Sequence, residues 1–308
     1  MMQAERRADL ILLATTVLAA AGWIFSKEAI AGLPPFGFIG LRFFIASLCL
    51  LPFCWRSFRH VSRSDIAKAM GVGCLLGTAL LMWIYAISAS DTLGEGAFIM
   101  SLSMLFVPLV GWPLFKQAPP RIFWLALPIA VMGLLMLSLG GGNGWQFSLS
   151  QSYFMAAAVM IAVHFNFNSK YARRLSTLVL TSLQLFVTGC LGLLASLFFE
   201  SAPVSVSAEI WGWFLLSTLV ATSLRYVMMT AGQKDSSPVN AAIIMILEPV
   251  WTVVLSVVWY AEAMPDYKLM GCALILTALF TYRGAPLIWR YLKQRRVVQQ
   301  QERETQQA

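Results

Sequence analysis

The run 236–260, SSPVNAAIIMILEPVWTVVLSVVWY, places one carboxylate, Glu248, near the middle of an otherwise apolar segment, with Pro249 directly after it. An ionised carboxylate in hydrocarbon costs roughly 2.5 to 3.5 kcal/mol on insertion scales, so it persists only beside a partner, in water or protonated. Proline donates no N–H and disturbs the preceding turn, so this pair predicts a bend whose freed carbonyls need neighbouring helices or cavity water. Glu248 is thus a candidate to bind a solute and to carry a proton; a structural ion pair at a packing kink is the alternative reading.

Two arginines fall inside apolar runs. Arg225 lies in the inner third of its segment, with Thr218, Thr222 and Met229 on its face at helical spacing. Its guanidinium fork suits a carboxylate, either Glu248 or one on a solute, and snorkelling to the inner interface competes with that role. Arg42 sits nearer the outer end of its segment, and a structural tie to Glu28 on the preceding segment is expected. His164 and Asn168 stand one turn apart. Histidine titrates near neutrality, which makes His164 a second proton-carrying candidate, although a hydrogen-bonded packing residue is the commoner case. Trp23, Tyr85, Tyr226, Trp251 and the flexible Met104 and Met245 are candidate cavity walls, and such a wall favours an apolar or aromatic solute.

Other chemistries find no support. The two histidines, His60 and His164, and the five dispersed cysteines have no metal-ligand spacing, so no metal is expected. The run Gly140-Gly141-Gly142-Asn143-Gly144 has no Walker lysine after it and no strand before it, so it reads as a linker, and neither a nucleotide nor another cofactor is expected. There is no HExxH, no GxSxG and no cluster of acids, which speaks against an intramembrane enzyme.

These residues need helices in a bilayer to position them. The chain of 308 residues is 59% hydrophobic and 12% charged, with a mean hydropathy of +0.73, beyond the range of a soluble domain. With about 20 apolar residues per crossing, ten spans are predicted, near 10–31, 36–55, 66–89, 94–116, 121–139, 150–170, 178–200, 208–231, 237–261 and 266–289. Arg6-Arg7 before an apolar run with Ala19-Ala20-Ala21 imitates a secretory signal, but the spans that follow mark it as a retained first helix. Of the 22 lysines and arginines, all but Lys27, Lys268, Arg42 and Arg225 fall at the termini and even-numbered connections. By the positive-inside rule both termini are cytoplasmic, and the net charge of +8 is a topology and lipid-anchoring signal and not a nucleic-acid surface. Gly73 and Gly77 give the third span a small-xxx-small face, which fits packing within the bundle or a homodimer. The tail, 290–308, is polar without an apolar period and is expected to be disordered.

The chain also repeats. Residues 83–112 lie over 224–253 at a constant offset of 141, pairing Tyr85 with Tyr226 and Pro108 with Pro249; Lys27 falls on Lys170 at an offset of 143. A five-span repeat places its second copy upside down, the inverted plan of secondary transporters, with a solute site at the midplane. The units predicted are 10–139, a linker at 140–149, 150–289 and the tail, giving an all-α integral membrane protein of ten helices in two inverted five-helix repeats.

Gly22-Trp23 through Lys27, Pro34-Pro35, Leu41-Arg42-Phe43, Leu247-Glu248-Pro249-Val250 with Glu262, and Gly271 with Leu274-Ile275 occur in order. With these the chain resembles the drug/metabolite transporter superfamily, in particular the EamA-type exporters with two EamA domains. The resemblance spans residues 10 to 283. It implies a basket of two inverted halves around a cavity lined by the first, third, fourth, sixth, eighth and ninth spans, exporting small metabolites such as amino acids across a bacterial inner membrane. Two departures stand out: the first half has Phe115-Lys116-Gln117-Ala118-Pro119-Pro120 where the family often carries an acid, and His164, Asn166 and Asn168 are additions to its pattern. A proton-coupled exporter by alternating access and a channel-like facilitator are both compatible with the residues.

Overall fold

The computed structural model describes residues 2–88, 93–116, 118–138, 149–201, 205–261, 266–267 and 269–282; the linker up to residue 148, the tail and Glu262 lie outside them, and Leu149, expected in the linker, begins a helix. The regular structure of the described residues is helical: α1 (Met2–Ile30), α2 (Pro35–Phe58), α3 (Arg63–Ser88), α4 (Leu93–Phe115), α5 (Arg121–Ser138), α6 (Leu149–Ala172) and α7 (Thr177–Phe199). Then follow α8 (Ala208–Thr218), a π-helical turn (Leu219–Leu224), α9 (Arg225–Asp235), α10 (Pro238–Met245), α11 (Glu248–Tyr260) and α12 (Leu269–Tyr282). Among the described residues six helical stretches, with Ala208–Asp235 and Pro238–Tyr260 each taken through its irregular turn, are long and apolar enough to cross a bilayer, and shorter apolar helices accompany them. The protein is a multi-pass membrane protein. α6 is long but less apolar because His164, Asn166, Asn168 and Ser169 on it are buried against neighbouring helices.

The most extensive contact is between α2 and α7. They run antiparallel: Phe36 meets Glu200, Gly40 meets Gly192, Phe44 meets Gly189, and Ser182 Oγ donates to the Ser47 carbonyl at 3.3 Å. Glycines on both helices let the backbones touch, since a Cβ on Gly192 would lie 2.7 Å from Gly40 Cα. The Gly73 and Gly77 face of α3 also seats on α7, at Gln184 and Thr188, so it serves packing within the bundle.

The helix contacts are preserved when partners are exchanged between halves. α3 packs on α6 as α8 and α9 pack on α1; α4 packs on α6 as α10 and α11 pack on α1; α3 packs on α7 as α8 packs on α2. At residue level, Lys27 Nζ lies 4.2 Å from the Tyr260 ring centre, and Lys170 Nζ lies 5.0 Å from that of Phe115. The residues that end α4 and α11, Lys116 and Ala261, are the non-glycine positions with positive φ among the described residues.

At the start of α2, Pro34 and Pro35 set the entry and Glu200, at the end of α7, accepts from the N–H groups of Phe36 at 2.7 Å and Gly37 at 2.8 Å. A carboxylate on the free donors of a helix N-terminus satisfies them and complements the helix dipole. Glu200→Ala is expected to cost about 1–2 kcal/mol, read as a lowered melting temperature in detergent; an unchanged value would show the cap to be idle.

Candidate functional site

The segment from Pro238 to Tyr260 is not one helix. α10 ends with Ile246 N–H on the Ala242 carbonyl and Leu247 N–H on that of Ile244, a tightening turn, and α11 begins at Glu248. Pro249, in the first turn of α11, has no N–H to continue the ladder, and the first turn is where proline costs least. The bend predicted from the sequence is a two-residue interruption, Ile246 and Leu247, in which the backbone stays right-handed, and it sets the Glu248 carboxylate in the first turn of α11, where the dipole favours negative charge. The equivalent Pro108 sits inside an unbroken α4, where Asn166 Nδ2 donates to the Val107 carbonyl at 2.8 Å.

Three helices converge on this carboxylate. Trp23 Nε1 of α1 donates to Oε1 at 3.2 Å, and Arg225 Nη2 of α9 meets Oε2 at 3.4 Å. Arg225 and Glu248 are about one-fifth exposed, so the pair is accessible rather than sealed. Trp23 in turn packs edge-on against Trp83 of α3, ring centres 5.6 Å apart. Arg225 also lies over the ring of Tyr226, at 5.4 Å.

A π turn directly precedes Arg225. Thr222 Oγ1 donates to the Ser217 carbonyl at 2.9 Å and Ser223 Oγ to that of Thr218 at 3.0 Å, both five residues back, and these bonds accompany the wider turn. Of the expected stripe, Arg225 and Met229 stand one turn apart in α9, Thr222 lies within the π turn and Thr218 directly before it. Thr218, Thr222 and Met229 are buried, and Thr222 serves Arg42 instead.

The expected tie of Arg42 to Glu28 is absent. Arg42 Nε donates to Thr222 Oγ1, Nη1 to Ser26 Oγ at 2.8 Å and Nη2 to the Ala221 carbonyl at 3.3 Å. Glu28 accepts instead from Tyr260 Oη at 2.6 Å, joining the C-terminal ends of α1 and α11. Arg42 turned towards the π turn because that turn offers it acceptors inside the bundle.

His164 and Asn168 stand in a second, fully buried group. His164 Nε2 and Gln184 Oε1 are 2.9 Å apart, Gln184 Nε2 donates to Asn168 Oδ1 at 3.3 Å, and Asn168 Nδ2 bonds Gln233 Oε1 at 2.5 Å and Thr230 Oγ1 at 3.3 Å. This network joins α6, α7 and α9 and shares no hydrogen bond with Glu248 among the described residues. Removing one member strands buried polar atoms at about 1–3 kcal/mol. His164→Ala is accordingly expected to lower the melting temperature while the pH profile of transport stays in place; a displaced profile would return His164 to the proton path.

Of the other wall candidates, Tyr85 packs edge-on against Tyr153 of α6, ring centres 4.8 Å apart, and Met245 is almost fully buried. Met104 is partly buried between apolar clusters, and Trp251, one turn along from Glu248, has a buried indole N–H without a hydrogen-bond partner. Sequence reasoning missed Trp83, Ser26, Gln184 and Gln233. Gln184 was visible as a lone amide in the apolar run 178–200; the others carried no comparable signal.

The profile of the EamA-like transporter family matches residues 6–139 and again 149–283. An "Uncharacterized transporter" of Archaeoglobus fulgidus is 25% identical over 274 residues, covering 88% of this chain and 84% of that protein. The "Uncharacterized transporter YetK" of Bacillus subtilis is 24% identical over 281 residues, 87% and 84% of the two chains. A solved crystal structure superposes with a TM-score of 0.78 at 20% identity, over 93% of this chain and 99% of that one, a likeness of fold. With two consecutive matches that together take in most of its length, the chain belongs to the EamA-like transporter family.

Proposed function

We infer that the protein is a secondary transporter that exports small organic metabolites, amino acids or related compounds among them, by alternating access, with Glu248 as both solute contact and proton carrier. The observation that carries this reading is the Glu248 carboxylate at a helix break, held by Trp23 and Arg225 from two other helices and still partly exposed. An ionisable group in such a place is costly unless it works. When protonated, it releases Arg225; when ionised, it pairs with it again.

The architecture of this reading is ten spans in two inverted repeats, 10–139 and 150–289, joined by the 140–149 linker. The antiparallel pairing of α2 with α7 and the exchange of contacts between halves support it. Its setting is a bacterial inner membrane with both termini and the basic tail in the cytoplasm, in agreement with the placement of lysine and arginine. No catalytic or metal role is assigned to any residue.

The test is counterflow in proteoliposomes loaded with an unlabelled amino-acid mixture, followed with the same amino acids labelled outside. A carrier gives transient, saturable accumulation that preloading accelerates. Flux that rises linearly with concentration and ignores preloading replaces the carrier with a channel-like facilitator.

A further inference from the structure

Arg42 is only 8% exposed, and its partners, Thr222, Ser26 and the Ala221 carbonyl, are all neutral. Among the described residues no carboxylate lies within ion-pair distance of it. Arg225 is also undersupplied: it offers one nitrogen to Glu248, at 3.4 Å, while its Nε–H is buried without a hydrogen-bond partner. The two guanidinium groups flank one aromatic pair. Arg42 Cζ is 5.7 Å from the Phe43 ring centre, Phe43 packs edge-on to Tyr226 at 5.6 Å, and Arg225 Cζ is 5.4 Å from Tyr226. The group thus holds two cations and one ionised acid, and a charge buried in a membrane without its counterpart is costly.

We propose that the missing negative charge arrives with the solute: the transported species docks as a small organic carboxylate of net charge −1. Its two oxygens take the planar edge of Arg225 in place of Glu248. A carboxylate fits that fork with two parallel hydrogen bonds, where Glu248 manages one long contact. Arg42 stays bonded to the π turn and supplies field rather than contact. Trp23, 38% exposed and packed on Trp83, offers apolar area to the rest of the solute. This rests on the reading of the Glu248 group as the transport site.

Three probes of one size and one apolar frame separate the charge classes: 3-phenylpropionate is an anion, phenylalanine a zwitterion and phenethylamine a cation. Each is titrated against the purified full-length protein at constant ionic strength, with the melting temperature as readout, because a ligand of the folded state raises it with concentration. 3-Phenylpropionate is expected to act at concentrations about tenfold lower than the other two, and Arg225→Gln to weaken it by about tenfold or more. Glu248→Gln removes a competing carboxylate and its repulsion, so it is expected to tighten 3-phenylpropionate severalfold. A variant that merely folds badly loses affinity, so this gain separates the proposal from damage. Preference for phenylalanine or phenethylamine, no response to any probe, or an anion response untouched by Arg225→Gln overturns it. Counterflow of phenethylamine that stops on Glu248→Gln would leave the transporter standing and remove only the anionic solute.

Discussion

Glu248→Gln is expected to reduce proton-driven accumulation in inverted membrane vesicles to the level of vesicles without the protein, while exchange of solute for solute continues. Glutamine keeps the shape of the side chain and an oxygen for Trp23 Nε1, so the α10–α11 break and the α1 contact survive. What it loses is the ability to gain and release a proton and the charge that holds Arg225 at 3.4 Å. A carrier whose proton-binding group is fixed in one state can still reorient with solute bound, which is why exchange persists as coupling fails. Accumulation that keeps its full size and pH dependence in this variant would remove Glu248 from the proton path and leave the pair as a structural bridge.

Gly40→Ala carries the largest expected loss of stability. A Cβ at Gly40 would lie 2.5 Å from the Leu193 nitrogen and 2.8 Å from the Gly192 carbonyl carbon, backbone atoms of α7 that cannot rotate away. Gly192 and Gly189 meet α2 with the same closeness from the other side. Overpacking a core ordinarily costs about 1–3 kcal/mol, and a clash of backbone with backbone belongs at the upper end because the helices themselves must part. The measurement is the melting temperature and the monodisperse yield in detergent. Gly71→Ala is the control, since a Cβ there meets nothing within 4 Å. If the two variants melted together, the α2–α7 crossing would be looser than described.

Much of this protein was legible in one dimension, for definable reasons. Hydrocarbon imposes helices and excludes unpaired charge, so apolar runs and the sorting of lysine and arginine report membrane crossing directly. The same rule makes a carboxylate inside such a run conspicuous, and Glu248 with Arg225 was found that way, as a pair of rare residues. The repeat was legible as well: Lys27 and Lys170, aligned by a register shift alone, each lie over an aromatic ring at the end of a matching helix.

Other features left no mark in the sequence. The six residues of the π turn look like any helical segment, yet two of them, Ala221 and Thr222, give Arg42 acceptors. Equivalent prolines stand differently, Pro249 at a helix start and Pro108 inside a continuous helix. His164 suggested a proton path by its type; it was its neighbours on α7 and α9 that put it, with Asn168, in a buried network.

The sequence by itself determined the membrane, the helices, the internal repeat and the one acid that hydrocarbon would not tolerate idle, because the cost of burying charge and bare backbone is paid residue by residue. Only the tertiary structure decided which partners that acid meets, that Arg42 faces Thr222 and Ser26 rather than Glu28, and that two guanidinium groups share one aromatic pair. Those choices depend on distances between residues up to 225 positions apart and on a single π turn. Spacing along a chain carries no record of either.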